Sequence, residues 1–184
     1  MKHSLLQRKK AGLLIIDLQE KLFNLVERQC DVMHAMEIVV KGFKILHLPI
    51  VVSEQYPEKM GLTVEPIRRL LGDVYHPFPK RSFSCLGSAP LQENILSLPV
   101  EQWVLVGIEA HVCILQTAKA LMAAGKEVTV LNDAISARSI YDYSTAIAEL
   151  RDEGARISSV ETILFELLEN SLAPEFKEIS QLIK

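Results

Sequence analysis

Gly12-Leu-Leu-Ile-Ile-Asp17 decides the fold: a short, branched, wholly apolar run that stops on a carboxylate. Apolar residues without alternation, over so few positions, read as a parallel strand covered on both faces. Working outward, similar runs recur at Pro49-Ile-Val-Val-Ser53, Trp103-Val-Leu-Val-Gly107, Glu127-Val-Thr-Val-Leu131 and residues 155–160, with a shorter strand expected at 74–79. Between them lie amphipathic stretches at 32–46 (with Pro49 beyond the helix end), 66–72, 113–124 (closed by Gly125) and 141–153 (ended by Gly154). Two helices finish the chain, the second opening at Pro174, and residues 57–61 and 80–90 read as loops. Strands alternating with helices predict a mostly parallel six-stranded sheet in a three-layer α/β/α sandwich with Rossmann-like topology and right-handed crossovers. No repeat, low-complexity tract or linker interrupts the pattern, so residues 1–184 are expected to form one domain.

A chain of 184 residues, 49% apolar and 23% charged, has enough apolar surface to build a core without staples. Its net charge of −3 gives no electrostatic reason to expect nucleic acid or an anionic membrane as partner. The opening ten residues are polar and basic, and Leu13-Leu-Ile-Ile16 is too short for a signal-peptide core or a membrane span. Cys30, Cys85 and Cys113 form neither a CxxC pair nor a disulfide framework, so a reducing, cytoplasmic setting is expected.

Ligands of such sheets bind beyond the carboxyl ends of the strands. Asp17 ends the first strand, Lys80 follows the short one, and Cys113 lies just past Trp103–Gly107, so three chemically useful groups converge on one edge. Singly, each has a plainer reading: a buried structural cysteine, a capping aspartate, a solvated loop lysine. Together they make a nucleophile: the carboxylate takes the thiol proton and the cation stabilises the thiolate. The passage from strand to helix predicts that Cys113 sits at a helix N-terminus, where the dipole would depress its pKa.

Leu14-Ile-Ile-Asp-Leu-Gln19, Lys80-Arg-Ser-Phe-Ser84 and Gly107-Ile-Glu-Ala-His-Val-Cys113 resemble, in order and at similar spacing, the three signature blocks of the isochorismatase-like cysteine-hydrolase superfamily. The resemblance runs from about residue 11 to the end. Ser53-Glu-Gln-Tyr-Pro57 and the closing Phe176–Lys184 narrow it to the isochorismatase-domain-containing proteins. It implies Asp17 as general base, Lys80 as orienting cation and Cys113 as nucleophile. It also implies a cis peptide between Ile108 and Glu109 that turns the Glu109 amide, with that of Cys113, toward an oxyanion. Nicotinamidase-like relatives carry an Asp-x-His metal motif after the second strand. Here Ser53-Glu54-Gln55-Tyr56 stands there, so no metal and no cofactor are expected.

Gln19, Phe23, Tyr56, Phe83 and His111 are candidates to line the substrate pocket, although aromatic residues are more often plain core. Cys85 is read as pocket or core, Asn132 and Asp133 as turn and cap residues, and Arg138 as a surface or subunit contact. His3, His34, His47 and His76 show no ligand spacing. The function expected is hydrolysis of a small amide or carbamoyl compound through a thioester, by a homo-oligomer of two or more copies. Two alternatives stay open: an idle scaffold that binds a protein partner, and an isochorismatase-type ether hydrolase that would not need the thiol.

Overall fold

The computed structural model describes residues 4–184; His3 lies outside them. Six strands form one sheet: β1 (Ala11–Ile16), β2 (Ile50–Gln55), β3 (Phe78–Lys80), β4 (Gln102–Ile108), β5 (Glu127–Ser136) and β6 (Arg156–Ser158). They lie in the order β3-β2-β1-β4-β5-β6, and every pairing is parallel. The helices are α1 (Glu20–Phe23), α2 (Gln29–Ile45), α3 (Pro57–Met60), α4 (Glu65–Leu71), α5 (Ala89–Ser97), α6 (Leu115–Ala123), α7 (Ile140–Asp152), α8 (Val160–Leu168) and α9 (Phe176–Leu182). None of the described helices is long and apolar enough to cross a membrane.

Because side chains alternate along a strand, each central strand feeds two cores. Leu13 and Ile15 of β1, with Val104 and Val106 of β4, face the layer of α2, α4, α8 and α9. Leu14 and Ile16, with Trp103 and Leu105, face α5, α6 and α7. In α2 the buried residues Val32, Met36, Val39, Val40 and Phe43 fall at helical spacing, which makes one apolar stripe against the sheet. The three-layer sandwich follows from these two buried faces.

The strand order reverses direction between β1 and β4. That switch point opens a crevice past their carboxyl ends, where ligands of doubly wound sheets are held. Gly107 lets the two strand ends close on each other: its φ is +116°, and a Cβ there would stand 2.0 Å from the Ile16 carbonyl oxygen.

Several boundaries differ from the sequence reading. The short strand covers 78–80 instead of 74–79, because residues 72–74 form a 3-10 turn. Pro79 is tolerated there since β3 is an edge strand. Within the stretch read as a polar loop, α5 begins at Ala89 with Pro90 in its first turn and buries Leu91 and Ile95, an i, i+4 pair. Residues 57–60, also read as loop, form the single turn α3. β5 runs on past Leu131 to Ser136 after a shift of register against β4, so Asn132 and Asp133 are strand residues. The Asp133 carboxylate still caps, accepting the Val160 N–H at 2.9 Å where α8 starts.

Candidate active site

β1, β2, β3 and the turn after β4 bring Asp17, Lys80 and Cys113 together. Asp17 follows β1 directly, with φ +50°, and is fully buried. Lys80 is the last residue of β3 and also buried, so it is an edge-strand residue turned inward and not the solvated loop lysine of the plainer reading. Its ammonium donates to Asp17 Oδ2 at 2.6 Å and lies 3.7 Å from Cys113 Sγ. Gln55 Oε1 at 2.7 Å and the carbonyls of Ser82 and Phe83 at 3.1 and 3.0 Å also accept from it. Cys113 stands in a π-helical turn, Ala110–Ile114, that leads into α6, and it is 6% exposed. Such turns recur at functional sites because they re-aim one side chain. The peptide bond between Ile108 and Glu109, at the mouth of this turn, is cis.

The electrostatics correct one expectation. Burial works against the Lys80 charge, but the carboxylate of Asp17 and the two nearby sulfurs outweigh it and hold the ammonium above its ordinary value. For Cys113 the balance runs the other way from the one the helix terminus suggested. Burial, then the negative charge of Asp17, push the thiol well above the ordinary cysteine range, and Lys80 offsets only part of that. At rest the cysteine is therefore a protonated thiol beside the Lys80–Asp17 pair.

A match to the Isochorismatase domain family spans residues 11–162 and so includes all three groups. The chain belongs to the isochorismatase family. The secreted isochorismatase effector Isc1 of Phytophthora sojae is 38% identical over 94% of this chain and 83% of its own length. Human isochorismatase domain-containing protein 2 is 34% identical over 94% of this chain and 82% of its own. Among solved structures, the MAR1 ribonuclease of Caenorhabditis elegans superposes with a TM-score of 0.92 at 32% identity, covering 98% of this chain and 92% of that one. The sandwich described above is thus the isochorismatase-family hydrolase fold.

In this family member, the other candidate residues take different places. Gln19 has its side-chain amide committed within the protein. It is fully buried, its Oε1 accepts the Gln55 N–H at 2.7 Å, and its Nε2 donates to the carbonyls of Gln55 and Gly61 at 3.0 and 2.6 Å. The side-chain amide thus continues the β1–β2 ladder beyond the end of β1. Phe23 packs in the core layer of α2, whereas Cys113 belongs to the layer on the other sheet face. Tyr56 carries the Arg81 guanidinium 3.3 Å from its ring centroid, which commits one ring face to a cation. Phe83 contributes its carbonyl to Lys80, while the residue is 53% exposed. His111 directs Nε2 toward Asp142, 3.9 Å away, not toward the cysteine two positions on. Arg138 pairs with Glu109 at 2.6 Å.

Glu54 Oε1 accepts from the Thr63 N–H, the Thr63 hydroxyl and the Tyr75 hydroxyl at 2.6–2.8 Å. Gln55, in the stretch that the sequence reading set against the nicotinamidase-like metal motif, accepts from Lys80 Nζ and so fixes it. Sequence reading missed that role, and it missed Ser53, whose hydroxyl donates to Asp17 Oδ1 at 2.8 Å. The signal was available in their position at the carboxyl end of the strand beside β1. Outside Lys80 an open cleft of about 430 Å³ is lined by Pro57, Glu58, Pro79, Arg81, Ser82 and Ser88.

Proposed function

We propose that this chain is a cofactor-free cysteine hydrolase that cleaves a C–N bond in a small amide or carbamoyl compound. The reading rests on one observation: the buried Lys80 ammonium lies 2.6 Å from Asp17 Oδ2 and 3.7 Å from Cys113 Sγ, so a carboxylate, an ammonium and a thiol share one buried site. A protein that only bound partners would have no physical need to bury this set. In the proposed cycle Asp17 takes the Cys113 proton as the sulfur attacks the carbonyl carbon, and Lys80 stabilises the charge on sulfur. The amides of Glu109 and Cys113 are assigned to the developing oxyanion. Collapse expels the amine, which receives the proton from Asp17. A water molecule, deprotonated by Asp17, then attacks the thioester, and release of the acid returns the thiol. The sum is amide plus water giving acid plus amine. No metal or cofactor enters the cycle. A cytoplasmic, reducing compartment is included in the proposal, since it keeps Cys30, Cys85 and Cys113, all free, in the thiol form. Self-association into a dimer or larger assembly is included as well.

The test is a screen of small carboxamides, ureas and carbamoyl compounds against wild type and Cys113→Ala. Isochorismate enters as an ether substrate. An RNA oligonucleotide enters because the C. elegans relative bears a ribonuclease name, although a net charge of −3 offers no footprint for a phosphate backbone. Hydrolysis of an amide that vanishes in Cys113→Ala supports the proposal; ether or RNA cleavage that survives the substitution overturns it.

A further inference from the structure

One hydrogen bond behind the three groups of the proposed cycle lies a buried hydroxyl. Ser53 ends the run of β2 residues in register with β1, is fully buried, and accepts the Asp17 N–H on its carbonyl at 3.2 Å. Its Oγ donates to Asp17 Oδ1 at 2.8 Å, while Lys80 takes Oδ2 at 2.6 Å. Each oxygen of the carboxylate therefore has its own donor, from a different strand, and the plane of the group is fixed. Ser53 is braced in turn: Cys85 Sγ lies 3.6 Å from its Oγ, and the Cys85 N–H donates to Thr117 Oγ1 at 3.0 Å. Thr117 is on α6, the helix that begins just past Cys113. Burial holds the Cys85 thiol up at about 11, so at neutral pH it is protonated and donates to the hydroxyl.

We infer that Ser53 is a positioning residue: its hydroxyl orients the Asp17 carboxylate toward Lys80 and Cys113, and the Cys85–Thr117 contact holds that hydroxyl in place from α6. The inference rests on the reading of Asp17 as the base. Removing the hydroxyl leaves Oδ1 a buried acceptor without that donor, so the carboxylate turns to seek one and the base is misaligned.

The test pairs Ser53→Ala with Ser53→Thr, and adds Ser53→Val. Threonine and valine are close in size and differ in the hydroxyl, so the pair stays decisive if alanine folds poorly. Alkylation of Cys113 by iodoacetamide, followed on the Cys113 peptide by mass spectrometry across pH, needs no substrate. Ser53→Ala and Ser53→Val are expected to alkylate about 3- to 10-fold more slowly at any pH below the midpoint, with Ser53→Thr at the wild-type rate. On a substrate found by the screen, kcat falls on the order of 10- to 100-fold with KM unchanged, and threonine restores it. Alkylation by folded Ser53→Val that matches Ser53→Thr overturns the inference. Turnover that survives Cys113→Ala overturns the hydrolase reading alone, and the alkylation comparison still decides the role of Ser53.

Discussion

Asp17→Asn separates the two effects that Asp17 has on Cys113. As a charge it opposes the thiolate; in the proposed cycle it is also the base that receives the thiol proton. Asparagine keeps the shape and removes both. The scale of the first effect comes from the site itself: a unit charge at the 3.7 Å that separates Lys80 from the sulfur is worth about 4 kcal/mol at an effective dielectric constant near 20. The Asp17 charge is, after burial, the largest cause of the raised thiol, so removing it is expected to lower the thiol midpoint by about 3 pH units. Lys80 keeps its proton, because the carbonyls of Ser82 and Phe83 and the new thiolate all require a donor. The assay is the rate of iodoacetamide alkylation at Cys113 against pH, beside turnover of the same preparation. Asp17→Asn should alkylate faster than wild type near pH 7 while turnover falls to background. Alkylation and turnover that fall together would refute the reasoning, since they would mean that the carboxylate does not hold the thiol protonated.

Lys80→Met leaves a buried carboxylate with no counter-ion and should cost about 3–5 kcal/mol in denaturant unfolding; the double variant Asp17→Asn/Lys80→Met should recover part of that loss, and an additive result would contradict the pairing. Gly107→Ala should fail to give soluble folded protein, or lose about 4 kcal/mol or more, because its Cβ meets the Ile16 carbonyl and its φ is positive; a wild-type urea midpoint would sink this. Stability should also fall with alkali. Cys85 rises from its ordinary 9.0 to about 11 on folding, so its contribution is complete below pH 9 and is lost as pH climbs through 11. That is a fall of about 3 kcal/mol, read as the thermal midpoint against pH, and the slope over this window should flatten in Cys85→Ala.

The sheet was legible because its strands are buried on both faces: Leu13 to Ile16 and Trp103 to Val106 are apolar at every position, and no amphipathic helix reads that way. The edge was not. β3 is three residues with a proline among them, so neither length nor alternation marks it, and the placement of Lys80 inside the strand follows from pairing with β2, a tertiary fact. Convergence of Asp17, Lys80 and Cys113 on one edge followed from strand ends alone. Their protonation did not, because the helix terminus that argued for a thiolate is outweighed by burial and by Asp17, and both of those arise only on folding. The same holds for Gln19 and Gln55. Their types suggest substrate contacts or missing metal ligands, and only the register shows one closing a ladder and the other steadying an ammonium.

Trapping the intermediate tests the central claim most directly. Wild type mixed with an amide substrate and quenched in acid within the first turnover should carry the mass of the acyl group, mapped to the Cys113 peptide, and Cys113→Ala should carry none. Turnover by wild type with no adduct on Cys113, and with Cys113→Ala equally active, would contradict it.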